Sequence, residues 1–331
     1  MLGVETFFME CWALSEAKGM DINMNKLDFP NRITVEVTNQ CNVSCTFCNR
    51  QKISMELGYM APDLFYKIID EASQHLPVKL VPFFRGEPLM HPQIIDFIKY
   101  AKEKGVGPIQ MASNALLLDD EMQDDIIRSG IDYLSFSLDT LDEKIYMDSR
   151  LTGNLEISAR NVRSLGEKCK KRREKGLSTP ILQVSTINLE EYKEGQVQFI
   201  NYWKDFVDVV RVYEQHDEKG RLVDYELRKK IDIFADRRPC RKVFTDMIIY
   251  WDGRLALCNY DWDEKRNLGD ISQMSIQEAW NSIDYEEIRR MHLNNAFDQS
   301  ICKECHHWKI DYMENGYIGT SYTSSGIEKR K

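Results

Sequence analysis

Short β-branched runs alternate with amphipathic segments along most of this chain. The run ITVEVT is followed by APDLFYKIIDEASQHL, and VKLVPFF is followed by HPQIIDFIKYAKEKG. The alternation continues through IQMAS, YLSFSLD, ILQVSTIN and VVRVYE. A repeated βα unit predicts an α/β fold with a parallel sheet. About six such units predict a partial (β/α)6 barrel, similar to a TIM barrel, with its active site at the carboxyl ends of the strands.

The pattern changes near Asp232. The segment MIIYWDGRLALC predicts a β-hairpin with Asp252 and Gly253 at its turn, and SIQEAWNSIDYEEIRRMHLNN predicts a helix. We therefore divide the chain into an N-terminal extension (1–31), a barrel (32–231), a small hairpin-plus-helix domain (232–312) and a polar C-terminal tail (313–331). We expect its last stretch, SYTSSGIEKRK, to be frayed.

Charge and composition exclude several classes of protein. The formal net charge of −9 makes nucleic acid an unfavourable partner. No apolar run approaches the roughly 20 residues of a membrane span, and Glu5 and Glu10 interrupt the N-terminal apolar stretch too early for a signal peptide. We therefore expect a cytoplasmic protein without a membrane partner. In that reducing compartment, nine cysteines indicate metal ligands or reactive thiols rather than disulfides.

Three cysteines stand directly after the first predicted strand. The stretch EVTNQCNVSCTFCNR places Cys41, Cys45 and Cys48 in a C-x3-C-x2-C pattern, so one tight loop can bring three sulfurs to a single metal centre. Mononuclear zinc would need a fourth protein ligand. A 4Fe-4S cluster held by three thiolates leaves one iron open for a small molecule. Three buried structural cysteines would be a simpler interpretation, but packing alone gives no reason for this spacing in a loop.

The stretch CNVSCTFC resembles the cluster motif of the radical S-adenosylmethionine (radical SAM) enzymes. The resemblance implies a 4Fe-4S cluster on Cys41, Cys45 and Cys48, whose open iron binds the amino and carboxylate groups of S-adenosylmethionine (AdoMet). It also implies reductive cleavage of AdoMet to a 5′-deoxyadenosyl radical, which abstracts hydrogen from the substrate. A flavodoxin- or ferredoxin-type protein would supply the electron. Phe47 matches the family's aromatic residue near the adenine.

Further family motifs follow in order at successive predicted strand ends. FRGEP resembles the GGEP motif that receives the AdoMet amino group, with Arg85 replacing the first glycine. ASNALLL resembles the TNG segment, with Ala115 replacing glycine, and SFSLD resembles the ribose-contacting segment. SRLTGNLE resembles the stretch that places an arginine near the AdoMet carboxylate. The resemblance therefore implies AdoMet contacts from Gly86, Glu87, Pro88, Ser113, Asn114, Ser137, Asp139, Arg150 and Asn188.

Four more cysteines lie in the C-terminal domain: Cys240, Cys258, Cys302 and Cys305. The hairpin can bring the first two together, and a C-x2-C turn supplies the others, which gives a closed site for zinc or for a fully ligated cluster. Their order, with NLGDI and SIQEAWNS between them, resembles the SPASM/twitch extension of the radical SAM superfamily. No cysteine follows Cys305, so the shorter twitch form matches better and implies one auxiliary 4Fe-4S cluster.

An auxiliary cluster with four protein thiolates has no open iron for a substrate, so its task would be electron transfer. Oxidation of an alcohol needs hydrogen abstraction, a base and an electron acceptor. Tyr213 and Glu214 end a late predicted strand, and Asp261 lies three residues beyond Cys258. These three residues are the candidate bases.

The predicted reaction is dehydrogenation of a small polar alcohol, such as a sugar, an aminocyclitol or a nucleotide-sugar. The roughly 30 residues before the first strand are too few for the recognition domain that peptide-modifying relatives often carry. Epimerisation of a sugar would need a hydrogen donor, and the remaining thiols are Cys11 and Cys169, the latter on a predicted outer helix. The sequence also leaves open a peptide-modifying enzyme and a zinc-stabilised binding protein without catalytic activity.

Overall fold

The computed structural model describes residues 26–215, 237–262, 266, 268–297, 300–310, 319–323 and 326–328. Its strands are β1 (Arg32–Val35), β2 (Lys79–Val81), β3 (Gln110–Ser113), β4 (Tyr133–Ser137), β5 (Ile181–Ile187), β6 (Val209–Tyr213), β7 (Asp246–Ile249), β8 (Leu255–Ala256), β9 (Gly319–Thr323) and β10 (Gly326–Glu328). Its α-helices are α1 (Pro62–Ala72), α2 (Ile94–Glu103), α3 (Asp120–Ser129), α4 (Glu143–Ser149), α5 (Leu155–Glu174), α6 (Glu190–Trp203), α7 (Lys242–Thr245), α8 (Ile276–Trp280), α9 (Ile283–Leu293) and α10 (His307–Ile310). Short 3-10 helices cover Asn49–Lys52 and Pro88–Met90.

Strands β1 to β6 are parallel and follow one another in chain order. β1 pairs with β2, and β3 to β6 form one continuous parallel series. A parallel bridge between Leu80 and Ile109 links the two sheets. Helices α1 to α6 lie in the connections between these strands. This arrangement confirms the predicted partial (β/α)6 barrel and brings the carboxyl ends of the strands to one rim.

The two faces of the strands differ in chemistry. The face under the helices is apolar and joins the main hydrophobic core, and on β4 to β6 it carries Leu134, Phe136, Leu182, Val184, Val210 and Val212. Alternate residues point the other way, into the barrel. On the same strands that inner face carries Tyr133, Ser135, Ser137, Gln183, Ser185, Arg211 and Tyr213. Ile181, Ile187 and Val209 share this face at the strand ends, so the barrel interior is polar along the middle of these three strands.

The C-terminal region confirms the predicted hairpin and corrects the predicted helix. Gly253 has φ of +99°, and its N–H donates to the Tyr250 carbonyl at 3.0 Å, which closes the turn between β7 and β8. β7 pairs in parallel with β1, so the hairpin extends the barrel sheet. The single helix predicted after Ser275 is in fact two, because the Ser282 hydroxyl accepts from the Tyr285 N–H and caps a new helix, α9.

The chain after residue 313 contributes two strands. β9 pairs antiparallel with β6, and β10 pairs antiparallel with β9. The expectation that SYTSSGIEKRK is frayed was therefore wrong for residues 321–323 and 326–328. The β6 edge offers unpaired backbone groups, and the stretch GTSYT is rich in residues that favour strands.

Two of the expectations drawn from the sequence concern residues that the structure does not describe. The proposed boundary near Asp232 and the thiol of Cys11 both lie outside them. Among the helices that the structure describes, none has the length and apolar character needed to cross a membrane.

Candidate active site

The three clustered cysteines lie in the loop that follows β1. Cys41, Cys45 and Cys48 are all partly buried and unpaired by disulfides. Burial and, to a smaller extent, the neighbouring Cys48 thiol raise the pKa of both Cys41 and Cys45. The pKa of Cys45 is about 11 as a result. The three sulfurs therefore lie within electrostatic reach of one another. Thiols in such surroundings ionise when a metal supplies positive charge.

Contacts from the far side of the barrel anchor this loop. The Thr46 N–H donates to the Ser149 carbonyl at 2.9 Å, where helix α4 ends. The Ser44 N–H donates to Thr152 Oγ1 at 2.9 Å. The cysteine loop after the first strand is thus tied to the segment that follows the fourth strand, across the mouth of the barrel.

Gly86 brings the FRGEP loop against the start of the cysteine loop. A Cβ atom at this position would collide with the backbone carbonyl oxygens of Thr38 and Gln40. The N–H of the next residue, Glu87, donates to the Gln40 carbonyl at 2.8 Å. Only glycine permits this approach of two backbones, so the first and second motifs form one rigid unit.

The Glu87 carboxylate is buried and held by three protein donors. Oε1 accepts from Ser113 Oγ at 2.8 Å and from the Leu89 N–H at 3.1 Å. Oε2 accepts from the Asn114 N–H at 2.8 Å. Burial raises the pKa of Glu87 to about 7, although these hydrogen bonds lower it. Since a carboxylate oxygen can accept two bonds, Oε2 retains capacity for one ligand donor. Pro88 follows as the first residue of a 3-10 helix that Glu87 caps.

The segment after β3 reaches the cysteine loop directly. Asn114 Nδ2 donates to Asn42 Oδ1 at 2.8 Å and lies 3.9 Å from the sulfur of Cys41. Ala115, which replaces the family's glycine, has φ of +64°, in the left-handed region that glycine favours. Ala115 therefore adopts a conformation that is easier for the glycine it replaces.

Asp139 and Arg150 form a buried ion pair beside the same loop. Arg150 Nε donates to Asp139 Oδ2 at 2.8 Å. Burial opposes the charge of Arg150, but Asp139 outweighs it and raises the pKa of the guanidinium. The guanidinium lies 5.6 Å from the centre of the Phe47 ring and lowers the pKa of Cys45. Four predicted site residues therefore meet here.

Asn188 and Glu214 meet at the adjacent ends of β5 and β6. Asn188 Nδ2 lies 3.1 Å from each carboxylate oxygen of Glu214, and the Asn188 N–H donates to the Tyr213 carbonyl at 2.7 Å. The Tyr213 hydroxyl accepts from Arg211 Nη1 at 3.2 Å, inside the barrel. Ser137 lies half-buried at the end of the neighbouring strand β4.

The four C-terminal cysteines gather around one arginine. Arg237 donates from Nη2 to the Cys302 carbonyl at 2.9 Å and from Nη1 to the Cys305 carbonyl at 3.1 Å. Its charge also lies within reach of the Cys240 thiol. Burial raises the pKa of Cys258, and the thiols of Cys302 and Cys305 raise it further. All four sulfurs thus share one region.

This region fits a group that accepts hydrogen bonds. Two buried nitrogens, Arg237 Nε and His292 Nε2, have no partner within the part of the chain that the structure describes. His292 Nδ1 accepts from the Cys240 N–H at 3.2 Å, so Nε2 carries the proton. The sulfides of an iron-sulfur cluster are suitable acceptors.

Neither cysteine set forms a single-ion site among the described residues. Across the described ranges, no three His, Cys, Asp or Glu side chains are gathered tightly enough to hold a single metal ion. The thiolates of a 4Fe-4S cluster bind different irons and therefore stand farther apart. Both cysteine sets are compatible with such a cluster in donor type and number.

Asp261 lies in the wall of this second site. Its Oδ2 accepts from the Leu257 N–H at 2.8 Å, and its own N–H donates to the Cys258 carbonyl at 3.0 Å. The residue is buried. The contacts show that Asp261 shapes the turn carrying Cys258, and its role as a base stays a prediction.

A buried ion pair that the sequence did not predict joins the two sites. Arg85 Nε donates to Glu36 Oε1 at 2.6 Å and Nη2 donates to Oε2 at 2.8 Å. Both side chains are 0% exposed. Arg85 Nη1 also donates to the Trp262 carbonyl at 3.2 Å, and its guanidinium lies 4.3 Å from the Tyr250 ring centre. The arginine that replaces a motif glycine thus reaches the segment following Cys258.

Two family models match the chain. One, described as the radical SAM superfamily, matches residues 35–194, and one described as an iron-sulfur cluster-binding domain matches residues 240–306. The chain belongs to the radical SAM superfamily. The two domains imply that this radical SAM protein binds AdoMet and a 4Fe-4S cluster, and that it also binds auxiliary iron-sulfur clusters.

Two curated relatives match the chain over less than half of their own length. A tungsten-containing aldehyde ferredoxin oxidoreductase cofactor-modifying protein from Pyrococcus furiosus is 32% identical over 165 residues, which cover 48% of this chain and 44% of that protein. A probable GTP 3′,8-cyclase from Methanocaldococcus jannaschii is 28% identical over 125 residues, which cover 38% of this chain and 41% of that protein.

Solved structures share the fold over more of the chain. SuiB from Streptococcus suis, bound to S-adenosylmethionine, has a TM-score of 0.63 at 15% identity and covers 95% of this chain and 85% of that chain. BtrN in complex with AdoMet and 2-DOIA has a TM-score of 0.55 at 17% identity and covers 87% of this chain and 92% of that chain. At these identities the likeness establishes the fold alone.

We predict that Gly86→Ala prevents assembly of the first cluster. The new Cβ would collide with two backbone carbonyls, which cannot move without displacing the cysteine loop. Iron content after anaerobic reconstitution should fall by about four irons per chain. Gly195→Ala is the matched control, because open space surrounds that helical position, and it should keep its iron. A Gly86→Ala protein with full iron content would contradict this account.

We predict that Arg85→Met lowers the free energy of unfolding by about 3–5 kcal/mol, because Glu36 is left buried without its partner. The double variant Glu36→Leu/Arg85→Met should lose less, since no charge remains buried. Chemical denaturation under anaerobic conditions measures both. Arg128→Met breaks the exposed pair with Asp125 and should change stability by less than about 1 kcal/mol. Equal losses in the single and double variants would refute the prediction.

We predict that Glu87 makes the metal-free protein less stable as pH rises from about 4.5 to about 7. The folded-state pKa of Glu87 is raised from 4.5 to about 7 by burial. The folded state therefore holds the proton more tightly, and the advantage is lost as pH rises through the folded pKa, by about 3 kcal/mol in all. The Glu87→Gln protein should lack this pH dependence, although its free energy of unfolding is lower by the same amount at every pH. Parallel stability curves for both proteins between pH 4.5 and 8 would exclude the effect.

Proposed function

We propose that this protein oxidises an alcohol group of a small polar molecule, such as a sugar, an aminocyclitol or a nucleotide-sugar. In the proposal, Cys41, Cys45 and Cys48 hold the radical SAM cluster, and the auxiliary cluster on the four C-terminal cysteines accepts an electron. The gathering of those four thiols around Arg237 carries this proposal. A site closed by four protein thiolates has no place for substrate and suits electron transfer.

The inner wall of the barrel supports a hydroxylated substrate. Gln183 is fixed between two neighbours, since Tyr133 Oη donates to its Oε1 at 2.5 Å and its Nε2 donates to Ser135 Oγ at 2.6 Å. The Tyr213 hydroxyl accepts from Arg211 and lies 3.4 Å from Gln183 Nε2. A network of fixed hydroxyl and amide groups favours a ligand rich in hydrogen-bonding groups over an apolar one.

Residues around the first cluster would orient AdoMet. Glu87 Oε2 can accept one hydrogen bond from its amino group, and Asn114 stands between Glu87 and the Cys41 sulfur. Arg150 has its charge shared with Asp139 and lies beside Phe47, where a carboxylate and an adenine could be received. When reduced, the bound cluster and AdoMet supply a carbon radical that takes one hydrogen atom from the substrate.

Glu214 is the best placed base among the three candidates. Asn188 holds its carboxylate at the strand ends, and Glu214 is only half-buried there. Tyr213 is engaged in the inner network, and Asp261 supports the Cys258 turn. The alcohol would lose a hydrogen atom from carbon to the radical, a proton from oxygen to Glu214 and an electron to the auxiliary cluster. The product is a carbonyl compound.

The test is turnover of a substrate panel by the reduced, reconstituted protein. Polyols, aminocyclitols and nucleotide-sugars are incubated with AdoMet, and mass spectrometry measures 5′-deoxyadenosine and a product lacking two hydrogens. Glu214→Gln should reduce the oxidised product by at least about 100-fold and still bind AdoMet. Glu191→Gln, at an exposed position on α6, should turn over normally.

Three outcomes would contradict the proposal. An isomer of the substrate in place of an oxidised product would indicate epimerisation. Turnover of peptides but of no small alcohol would indicate peptide modification. Full oxidation by Glu214→Gln would exclude Glu214 as the base.

A further inference from the structure

Arg237 is fixed on the turn that carries the last two cysteines. Two of its nitrogens donate to the carbonyls of Cys302 and Cys305, at 2.9 and 3.1 Å. Its guanidinium lies 4.4 Å from the Phe297 ring centre and 4.9 Å from that of Trp308. Carbonyl bonds and aromatic stacking together hold a planar cation in one orientation.

The charge of Arg237 lies next to the thiols. Burial lowers the pKa of Arg237, and the thiols of Cys305, Cys302 and Cys240 raise it. No ion pair joins Arg237 to a carboxylate within the described residues, whereas Arg85 and Arg150 are each paired with a buried carboxylate. The positive charge of Arg237 is therefore available to whatever the four sulfurs bind.

One donor of Arg237 is left over. Both Nη atoms serve the backbone carbonyls, and the buried Nε has no partner among the residues that the structure describes. A buried N–H without an acceptor loses its hydrogen bonds to water without replacement, which is unfavourable. A thiolate or sulfide of a bound cluster would remove that cost and would receive a charge-assisted hydrogen bond.

We propose that Arg237 raises the reduction potential of the auxiliary cluster, and so makes it a better acceptor of the substrate's electron. The reduced cluster carries one more negative charge than the oxidised cluster, with no proton taken up. A fixed cation beside the thiolates, with no carboxylate partner among the described residues, therefore stabilises the reduced form more. Arg237 acts through the cluster, as a positioning and tuning residue. The inference rests on the proposed function in assigning a cluster to these four cysteines and in making that cluster the electron acceptor.

The experiment measures the midpoint potential of the auxiliary cluster alone. The full chain with Cys41→Ala, Cys45→Ala and Cys48→Ala is reconstituted anaerobically, and its cluster is titrated with EPR detection. In this background, R237M removes the charge, R237Q removes it but can still donate to the carbonyls, and R237K keeps it. R238M, at the exposed neighbouring position, is the matched control.

We expect R237M and R237Q to bind iron like the parent and to shift the one-electron equilibrium at least tenfold towards the oxidised cluster. That shift is a fall of about 59 mV in midpoint potential. R237K and R238M should stay closer to the parent value. An unchanged potential in either neutral variant with full iron would overturn the proposal.

Two further outcomes separate the proposals. If neither neutral variant holds iron while R238M does, Arg237 is a structural clip and the tuning role is wrong. If the parent background holds zinc, the auxiliary acceptor and its tuning both fail. An unchanged potential in an iron-loaded variant ends only the role of Arg237 and leaves the proposed oxidation standing.

Discussion

The buried ion pair between Glu36 and Arg85 links the parts of the molecule that must act together. Removing two charges from water is costly, and the cost is offset only when geometry and hydrogen bonding are nearly complete. Here the two groups are joined by two parallel bonds, and Arg85 also binds the Trp262 carbonyl. The Trp251 N–H lies 3.4 Å from Glu36 Oε2. The pair therefore holds the end of β1, the FRGEP loop and the segment that follows Cys258 in one arrangement.

The same ion pair is in contact with the surroundings of both cysteine sites. Gly86 follows Arg85 directly and packs against the start of the cysteine loop. The ion pair therefore also fixes the position of the loop that carries the first three cysteines. Trp262 lies four residues after Cys258, so the same arginine touches the surroundings of the second site. In the proposed function, a substrate held against the hydroxyl and amide wall of β4 to β6 would meet a radical source, a base and an electron acceptor.

The two cysteine sites differ in their charge environment. Arg150 beside the first site is neutralised by Asp139, whereas Arg237 beside the second has no carboxylate partner among the described residues. In the proposed reaction, the first site injects an electron into AdoMet and would benefit from a low potential. The second accepts an electron and would benefit from a higher one.

The sequence predicted local features better than long-range ones. The βα alternation predicted β1 to β6 because side-chain periodicity is a local property. The order of the family motifs at successive strand ends predicted the neighbourhood of Glu87, Ser113 and Asn114. The end of α8 carried a visible signal in Asn281 and Ser282, which the prediction of one long helix overlooked. The pairing of β9 with β6 depends on an edge more than 100 residues away in the chain. The Glu36–Arg85 pair spans 49 residues, and its signal was a carboxylate inside an apolar strand pattern together with an arginine in a glycine position.

The most direct test of two separate cluster sites is metal content. Iron, sulfide and zinc are measured in anaerobically reconstituted protein, wild type against the Cys41→Ala, Cys45→Ala, Cys48→Ala triple variant. The account predicts about eight irons in the wild type, about four in the variant, and no zinc. About four irons with one zinc in the wild type, and the iron lost in the variant, would contradict it. The C-terminal site would then be a structural clip, and the reaction would need no electron acceptor.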